Sequence, residues 1–379
     1  VRVALVHDWL TGMRGGERVL HEVVGLYPDA DLFTLVHVPG SANDAIERRR
    51  VESSFLSRLP GTSRHYRKWL PLFPWAVRRL RLDGYDLVLS TSHAFAKSVR
   101  RPPAATHVSY CFTPMRYVWD QVDAYLGRGP RRALAAPLVA GLRRFDRRTA
   151  GPATVTRFVA CSSSVAERIR RHYRRDAAVV FPPVDLERFR PSEKPPEDYY
   201  LLVGAFVPYK AEAVALQAFA RLGRRLLVVG DGPGRKRLER RAPACVQFTG
   251  RVSDAELASL YAGARALVHP QEEDFGICAL EAQAAGRPVI ALGRGGALDT
   301  VVPRRDDAGA PNRATGVFFH EQTPAALAEA VERFEKLEER FDARSIRSWA
   351  EGFGPARFRR ALGAQVERAL AEGPEERRP

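Results

Sequence analysis

The sequence predicts an α/β protein of two doubly wound, Rossmann-like domains. Short aliphatic runs alternate with longer amphipathic stretches, and this alternation restarts near residue 199. Between the two series lies FPPVDLERFRPSEKPPEDYY (181–200), with five prolines in twenty residues, which reads as an inter-domain linker. The length of 379 residues suits two domains at roughly 100–200 residues each.

In the first series VRVALV (1–6), DLFTLV (31–36), DLVLS (86–90), THVSYC (106–111) and RFVACS (157–162) read as strands buried on both faces. The second series gives YYLLVGA (199–205), RRLLVVG (224–230), CVQFTG (245–250), ALVHP (266–270) and PVIAL (288–292). Helix-like segments at 211–223 and 253–264 fall between them, the latter opening on Ser253 and Glu256 in a capping-box pattern. A further helix is expected over 277–285, stopped by Gly286 and Pro288. The domains are placed at 1–184 and 185–353, and a closing helix, 354–379, is expected to return to the first. Ligands of such sheets bind outside the carboxyl ends of the strands, which puts the expected site in a cleft between the domains.

Composition narrows the class. Hydrophobic residues make up 45% and charged residues 27%, as in ordinary globular proteins. No apolar run approaches the ~18 residues of a membrane span, and the chain opens into a strand-like run rather than a signal peptide. The four cysteines, Cys111, Cys161, Cys245 and Cys278, form no CxxC pair, so neither a zinc site nor a disulfide framework is indicated. A reduced, cytoplasmic protein is the expectation. The net charge of +16 is uneven: residues 1–200 hold 33 Lys/Arg against 20 Asp/Glu, and residues 201–379 hold 27 against 24. Such asymmetry suits an anionic partner for the first domain, or reflects a drift toward arginine.

Several motifs lie where strands end. HDWLTGMRGGERVL (7–20) follows the first strand with Gly12, Gly15 and Gly16, where backbone and a helix start can approach an anionic group. His93 follows the strand DLVLS, and GDGPG (230–234) gives a loose glycine match. HPQEEDFGICALEAQAAGRPVIA (269–291) sets Glu273 in a loop and Glu281 on the following helix, around Phe275-Gly276. By themselves these residues leave open a surface carboxylate at 273 and an exposed helix residue at 281.

Together the motifs resemble the retaining glycosyltransferases of the GT-B fold known as family 4. The resemblance rests on Glu273 and Glu281 around Phe275-Gly276, then EAQAAGRPVIA, with GDGP, FTGRVSDAELASLYAGARALVHP and GRGGALDTV in the family's order. VHDWLTGMRGGERVL, YDLVLSTSHAFAKSV, YCFTPMRYVWD and PPVDLERF resemble a narrower branch, of O-antigen and exopolysaccharide transferases that are often mannosyltransferases. The implied architecture is two Rossmann-like domains facing across a cleft.

The resemblance implies roles. Glu281 would hold the ribose hydroxyls of a sugar nucleotide, and Glu273 the hydroxyls of the transferred sugar, beside backbone N–H groups of Phe275, Gly276 and Ile277. Lys210 would neutralise the leaving diphosphate with the Gly15-Gly16 backbone, His93 would lie near the donor sugar, and Arg251 and Val252 near the base. Glu273, His93 and Lys210 form the implied catalytic set, with no metal and no cofactor besides the sugar nucleotide as co-substrate. The chain departs from the family at Ala205 and Ala211, where basic residues are frequent, and from the branch at Phe112, where histidine is common.

The implied reaction moves a hexose, with mannose from GDP-mannose the first choice, to a saccharide or polyprenyl-lipid-linked acceptor. HYRKWLPLFPWAVRRLRL (65–82) interleaves Trp69, Phe73 and Trp75 with Arg67, Lys68, Arg78, Arg79 and Arg81. That mixture suits an anionic membrane surface on the cytoplasmic side; equally, the aromatics could pack inward from a helix. The alternative functions are a lapsed sugar-nucleotide binder of the same fold and, ranked below it, a basic nucleic-acid-binding protein drawing on the charged first half. No reading motif is present, so a nucleic-acid partner is not expected.

Overall fold

The computed structural model describes residues 1–127, 129–207, 210–304 and 313–373. They form two compact units: Val1–Pro182 with Phe358–Pro379, and Pro183–Arg357. Each is built on a parallel sheet.

In unit 1 the strands are β1 (Val3–Leu10), β2 (Asp31–His37), β3 (Val51–Ser53), β4 (Leu87–Ser92), β5 (Thr106–Cys111), β6 (Arg157–Ala160) and β7 (Ala177–Val179). Their order across the sheet is β3-β2-β1-β4-β5-β6-β7, all parallel. Every residue of β4 and β5 is buried, which is why these strands read as apolar runs without alternation. Helices Gly15–Leu26 and Ser163–Tyr173 belong to this unit. One core cluster gathers Val6, Phe33, Val88, Phe95 and Leu142.

Unit 2 carries β8 (Tyr200–Val203), β9 (Leu226–Val229), β10 (Val246–Gly250), β11 (Leu267–His269), β12 (Val289–Leu292) and β13 (Gly316–Phe319). Their order is β10-β9-β8-β11-β12-β13, again parallel. The helices anticipated from sequence form over Glu212–Leu222, Asp254–Gly263 and Ile277–Ala284. Ser253 caps the second as expected, its Oγ accepting from the N–H of Glu256 at 3.2 Å. Tyr200, Phe219, Val228, Ile290 and Phe334 lie in the core of this unit.

The boundary between the units, Pro182/Pro183, falls inside the proline-rich stretch 181–200 expected to link them, and the residues from Pro183 onward belong to unit 2. The Val184 N–H donates to the Phe353 carbonyl at 2.9 Å, and the Phe189 ring is fully buried against Tyr261. The chain turns at residues 186–188, between buried Val184 and Phe189, and residues 191–198 are exposed. Segment 65–82 divides likewise. Tyr66 and Phe73 enter the core of unit 1, Trp69 packs on it half-buried, and Leu72 and Trp75 remain exposed. It is also not one helix, but a 3-10 turn, Tyr66–Leu72, followed by a short helix, Phe73–Val77.

The last helix, Pro355–Glu372, starts in unit 2 and continues into unit 1. There the Phe358 ring meets Tyr110 edge-on at 5.6 Å, Arg359 pairs with Glu22, and Arg157 pairs with Glu372.

Candidate functional site

Ligands of doubly wound sheets collect where strand order reverses, beyond the carboxyl ends of the two strands that part there. In unit 2 that point lies between β8 and β11. Lys210 follows β8 and Glu273 follows β11, and the structure joins them in a hydrogen-bonded ion pair. The Gln271 amide donates to the same Glu273 oxygen at 3.0 Å and lies 3.2 Å from His269 Nδ1. Burial alone would raise the Glu273 carboxyl; the Lys210 ammonium outweighs it and holds the group at about 2. His269 is fully buried, and burial lowers its pKa, so it is neutral at ordinary pH.

The backbone around the pair is closely set. Gly276 precedes helix Ile277–Ala284 with φ +84°, and a Cβ there would stand 3.2 Å from His269 Nε2. The Gly296 N–H donates to the Glu273 carbonyl at 2.9 Å, and a Cβ on Gly296 would fall 2.3 Å from the Phe275 Cα. The GRGG loop after β12 thus needs glycine to lie against the EDF loop after β11. Glu281, one turn into the helix, is only 5% exposed, and its carboxylate accepts from the Tyr261 hydroxyl at 2.9 Å. It is therefore not an exposed helix residue. Free N–H groups at this helix start can meet anionic oxygens beside the two carboxylates.

Arg251 and Val252 lie on the loop after β10, one strand further from the reversal point than β9. The Arg251 side chain is 81% exposed, and its guanidinium is 3.9 Å from Asp231 of the GDGPG loop. It stands apart from the Lys210–Glu273 pair in its contacts. Ala205 is exposed after β8, while Ala211 holds a left-handed φ of +54° ahead of helix Glu212–Leu222.

In unit 1 the order reverses between β1 and β4. Gly15 and Gly16 follow β1 and begin helix Gly15–Leu26; His93 follows β4. The organising group is Asp8, fully buried near the end of β1. Its two oxygens accept the backbone N–H groups of His93, Ala94, Phe95 and Ala96 at 2.6–2.9 Å. The same carboxylate stands 3.2 Å from His93 Nδ1, and Trp9 meets the imidazole edge-on at 4.5 Å. His93 is fixed in backbone and ring, yet its side chain is one-third exposed. Phe112, the departure from the branch pattern, sits between the predicted residues. Its ring centroid is 6.3 Å from His93, and a Cβ on Gly16 would meet it at 3.7 Å.

Sequence reasoning does not single out Asp8, Gln271, His269 or Tyr261. An acid inside the apolar run of β1 was the one available signal for Asp8, because a buried charge requires several partners. Among the described residues no cluster of three or more His, Cys, Asp or Glu side chains is placed to hold a metal ion.

Residues 184–347 match the family model described as Glycosyl transferases group 1. A D-inositol 3-phosphate glycosyltransferase of Streptomyces avermitilis is 33% identical over 216 residues, covering 48% of this chain and 45% of that protein. A GDP-mannose-dependent alpha-mannosyltransferase of Mycobacterium tuberculosis is 35% identical over 202 residues, covering 50% of each. The chain spans about half the length of the curated relatives it matches. Among solved structures, the sucrose-phosphate synthase of Thermosynechococcus elongatus superposes with a TM-score of 0.72 at 19% identity, covering 98% of this chain and 100% of that one. The sequence match falls within unit 2, which carries the Lys210–Glu273 pair; the structural match runs through both units. The chain thus has the GT-B fold of known glycosyltransferases, and over residues 184–347 it is similar in sequence to the group 1 family.

Proposed function

We propose that the protein is a retaining glycosyltransferase that takes a hexose from a sugar nucleotide, without a metal ion, and passes it to a saccharide or lipid-linked acceptor. Mannose from GDP-mannose is the first candidate, supported by the branch motifs and by the name of the mycobacterial relative. The observation that carries the reading is the Lys210–Glu273 pair at the reversal point of the second sheet, with buried Glu281 on the adjoining helix.

The chemistry follows from charge. A carboxyl held at about 2 stays ionised near neutral pH and is a weak base, so Glu273 is suited to accept sugar hydroxyls rather than to shuttle protons. Departure of a nucleoside diphosphate builds negative charge, which Lys210 and the start of helix Ile277–Ala284 can stabilise. A diphosphate oxygen then takes the acceptor proton as the acceptor attacks from the face the leaving group vacates. No carboxylate becomes a nucleophile, unlike the pair in retaining glycosidases. Glu281 holds the ribose, His93 and the Gly15-Gly16 backbone contact the donor, and Arg251 and Val252 lie toward the base.

A thermal-shift screen against GDP-, UDP-, dTDP- and ADP-sugars tests the donor, since a bound nucleotide stabilises the fold by mass action. Glu273→Ala and Glu281→Ala proteins that fold but no longer transfer support the mechanism; unchanged turnover in both removes it. Phe112, standing against His93 and Gly16, supports a second reading in which the protein binds the donor without transfer. Calorimetric donor binding with neither transfer nor hydrolysis selects that reading.

We place the protein on the cytoplasmic side, peripheral on an anionic membrane through 65–82. There Leu72 and Trp75 are exposed beside Arg67, Lys68, Arg78, Arg79 and Arg81. No described helix is long and apolar enough to cross a membrane. Nucleic acid is not among the proposed partners.

A further inference from the structure

Helix Pro130–Arg148 has a feature the transfer reaction does not use. One side is anchored in unit 1: Leu142 lies in the core, Val139 and Phe145 pack against it, and buried Asp146 pairs with Lys97 at 2.8 Å. The amino-terminal half otherwise stands in solvent, with Ala133, Leu134, Ala136, Pro137 and Leu138 exposed, Leu134 by 87%. A contiguous apolar surface left uncovered calls for an occupant.

The other end of the helix is basic. A groove along the helix runs from Arg132 and Ala136 to Arg144, Arg147 and Arg148, with Trp119 in its wall. The only acid in the helix is Asp146, turned inward, and among the described residues Arg144 and Arg148 pair with no carboxylate. More cations gather nearby, since the Arg78 pKa is lowered by burial and by its neighbours Arg100 and Arg148. From Leu134 to Arg148 is about 21 Å along the axis; the apolar end also carries Arg132, paired with Asp123, while Arg144 and Arg148 lie toward the last turns.

We propose that helix Pro130–Arg148 docks the protein on an anionic phospholipid bilayer. Its apolar half enters the headgroup boundary, and the arginines of its last turns, with Arg78 and Arg100, bind lipid phosphates. An amphipathic element with a basic region binds such a surface through buried apolar area plus attraction to anionic lipid. A second copy does not fit, because pairing this face with itself juxtaposes unpaired arginines. Single-stranded nucleic acid needs free aromatic faces, whereas Trp119 is stacked on His172 at 4.6 Å and covered by Arg143 and Arg147. Exposed leucines likewise have no use against a phosphate backbone. This helix is a second membrane element beside 65–82, and its docking does not depend on the transferase reading.

The test is co-sedimentation of the full chain with phosphatidylglycerol/phosphatidylcholine vesicles and with phosphatidylcholine alone, at low and high salt. Binding is expected only with phosphatidylglycerol. At about 1 kcal/mol for each arginine near the surface, R144Q/R148Q lowers partitioning about thirtyfold. L134S/L138S should lower the binding that survives high salt. Thermal shifts with sugar nucleotides stay at wild-type values in both variants, separating failure here from failure of the donor reading. Equal binding to both vesicle types, or wild-type binding by R144Q/R148Q, overturns the proposal. So does displacement from vesicles by inorganic diphosphate, which marks a free-phosphate site, or preferential binding of DNA.

Discussion

The Lys210–Glu273 pair makes a prediction that needs no substrate. Glu273 is 16% exposed, and its carboxyl stands at about 2 against an ordinary value of 4.5. A difference of that size contributes on the order of 3 kcal/mol to unit 2 above pH ~4.5. Because the folded pKa is depressed, the contribution is complete above the unfolded value and disappears as pH falls through about 2. Lys210→Met removes the cation and leaves a buried carboxylate unpaired, costing about 3–5 kcal/mol at pH 7. Glu273→Gln removes the carboxylate charge and with it this ion pair, also a loss. The double variant has no unpaired buried carboxylate, so most of the loss returns. Guanidinium unfolding, read by hydrogen exchange on peptides from residues 183–357, measures all four proteins. The cycle should give a coupling of roughly 3 kcal/mol at pH 7 that shrinks on approach to pH 2. Costs adding to within about 0.5 kcal/mol at both pH values would refute the pairing.

Three further outcomes are expected at other sites. His7 and His107 are buried and held neutral, chiefly by burial, with pKa values of about 4. Unit 1 should therefore lose about 3 kcal/mol per histidine as pH falls from 6.5 toward 4, and H107Q should flatten that slope in a pH-stability titration. Asp8→Asn keeps the shape but exchanges one acceptor oxygen for a donor NH2, leaving at least two of the four N–H groups unpaired at about 1–3 kcal/mol each. Faster hydrogen exchange at residues 93–96, with a larger loss in kcat than in thermal stability, is expected; unchanged exchange would show that the carboxylate does not hold the loop. Ala211→Gly relieves the left-handed backbone at φ +54° and should stabilise unit 2 by about 1 kcal/mol in denaturant unfolding.

Most of the architecture was legible because parallel strands buried on both faces leave unbroken aliphatic runs. The strands not anticipated, β3, β7 and β13, each lie at a sheet edge and are three or four residues long. An edge strand is covered on fewer sides, so Ala177–Val179 carries no distinctive pattern. The candidate site was legible residue by residue but not as a constellation. Lys210 and Glu273 are 63 positions apart, and nothing in either local pattern shows that they meet. Tyr261 lies within a helix, where its apolar ring reads as core and hides a hydroxyl aimed at Glu281. Segment 65–82 supported both of its readings because a sequence does not show which aromatics turn inward. Phe73 does so, and Trp75 does not.

Helix Pro355–Glu372 sets the order of events during synthesis. Unit 2 is one continuous stretch of chain, so it can close once residue 357 has cleared the ribosome. Unit 1 cannot, because Leu362 and Val366 of this helix are buried and Phe358 rests on Tyr110. At about 5–20 residues per second, residues 183–357 take roughly ten to thirty seconds to make. Throughout that interval the earlier half keeps uncovered the surface that receives Phe358, Leu362 and Val366. The half translated first is thus the half completed last.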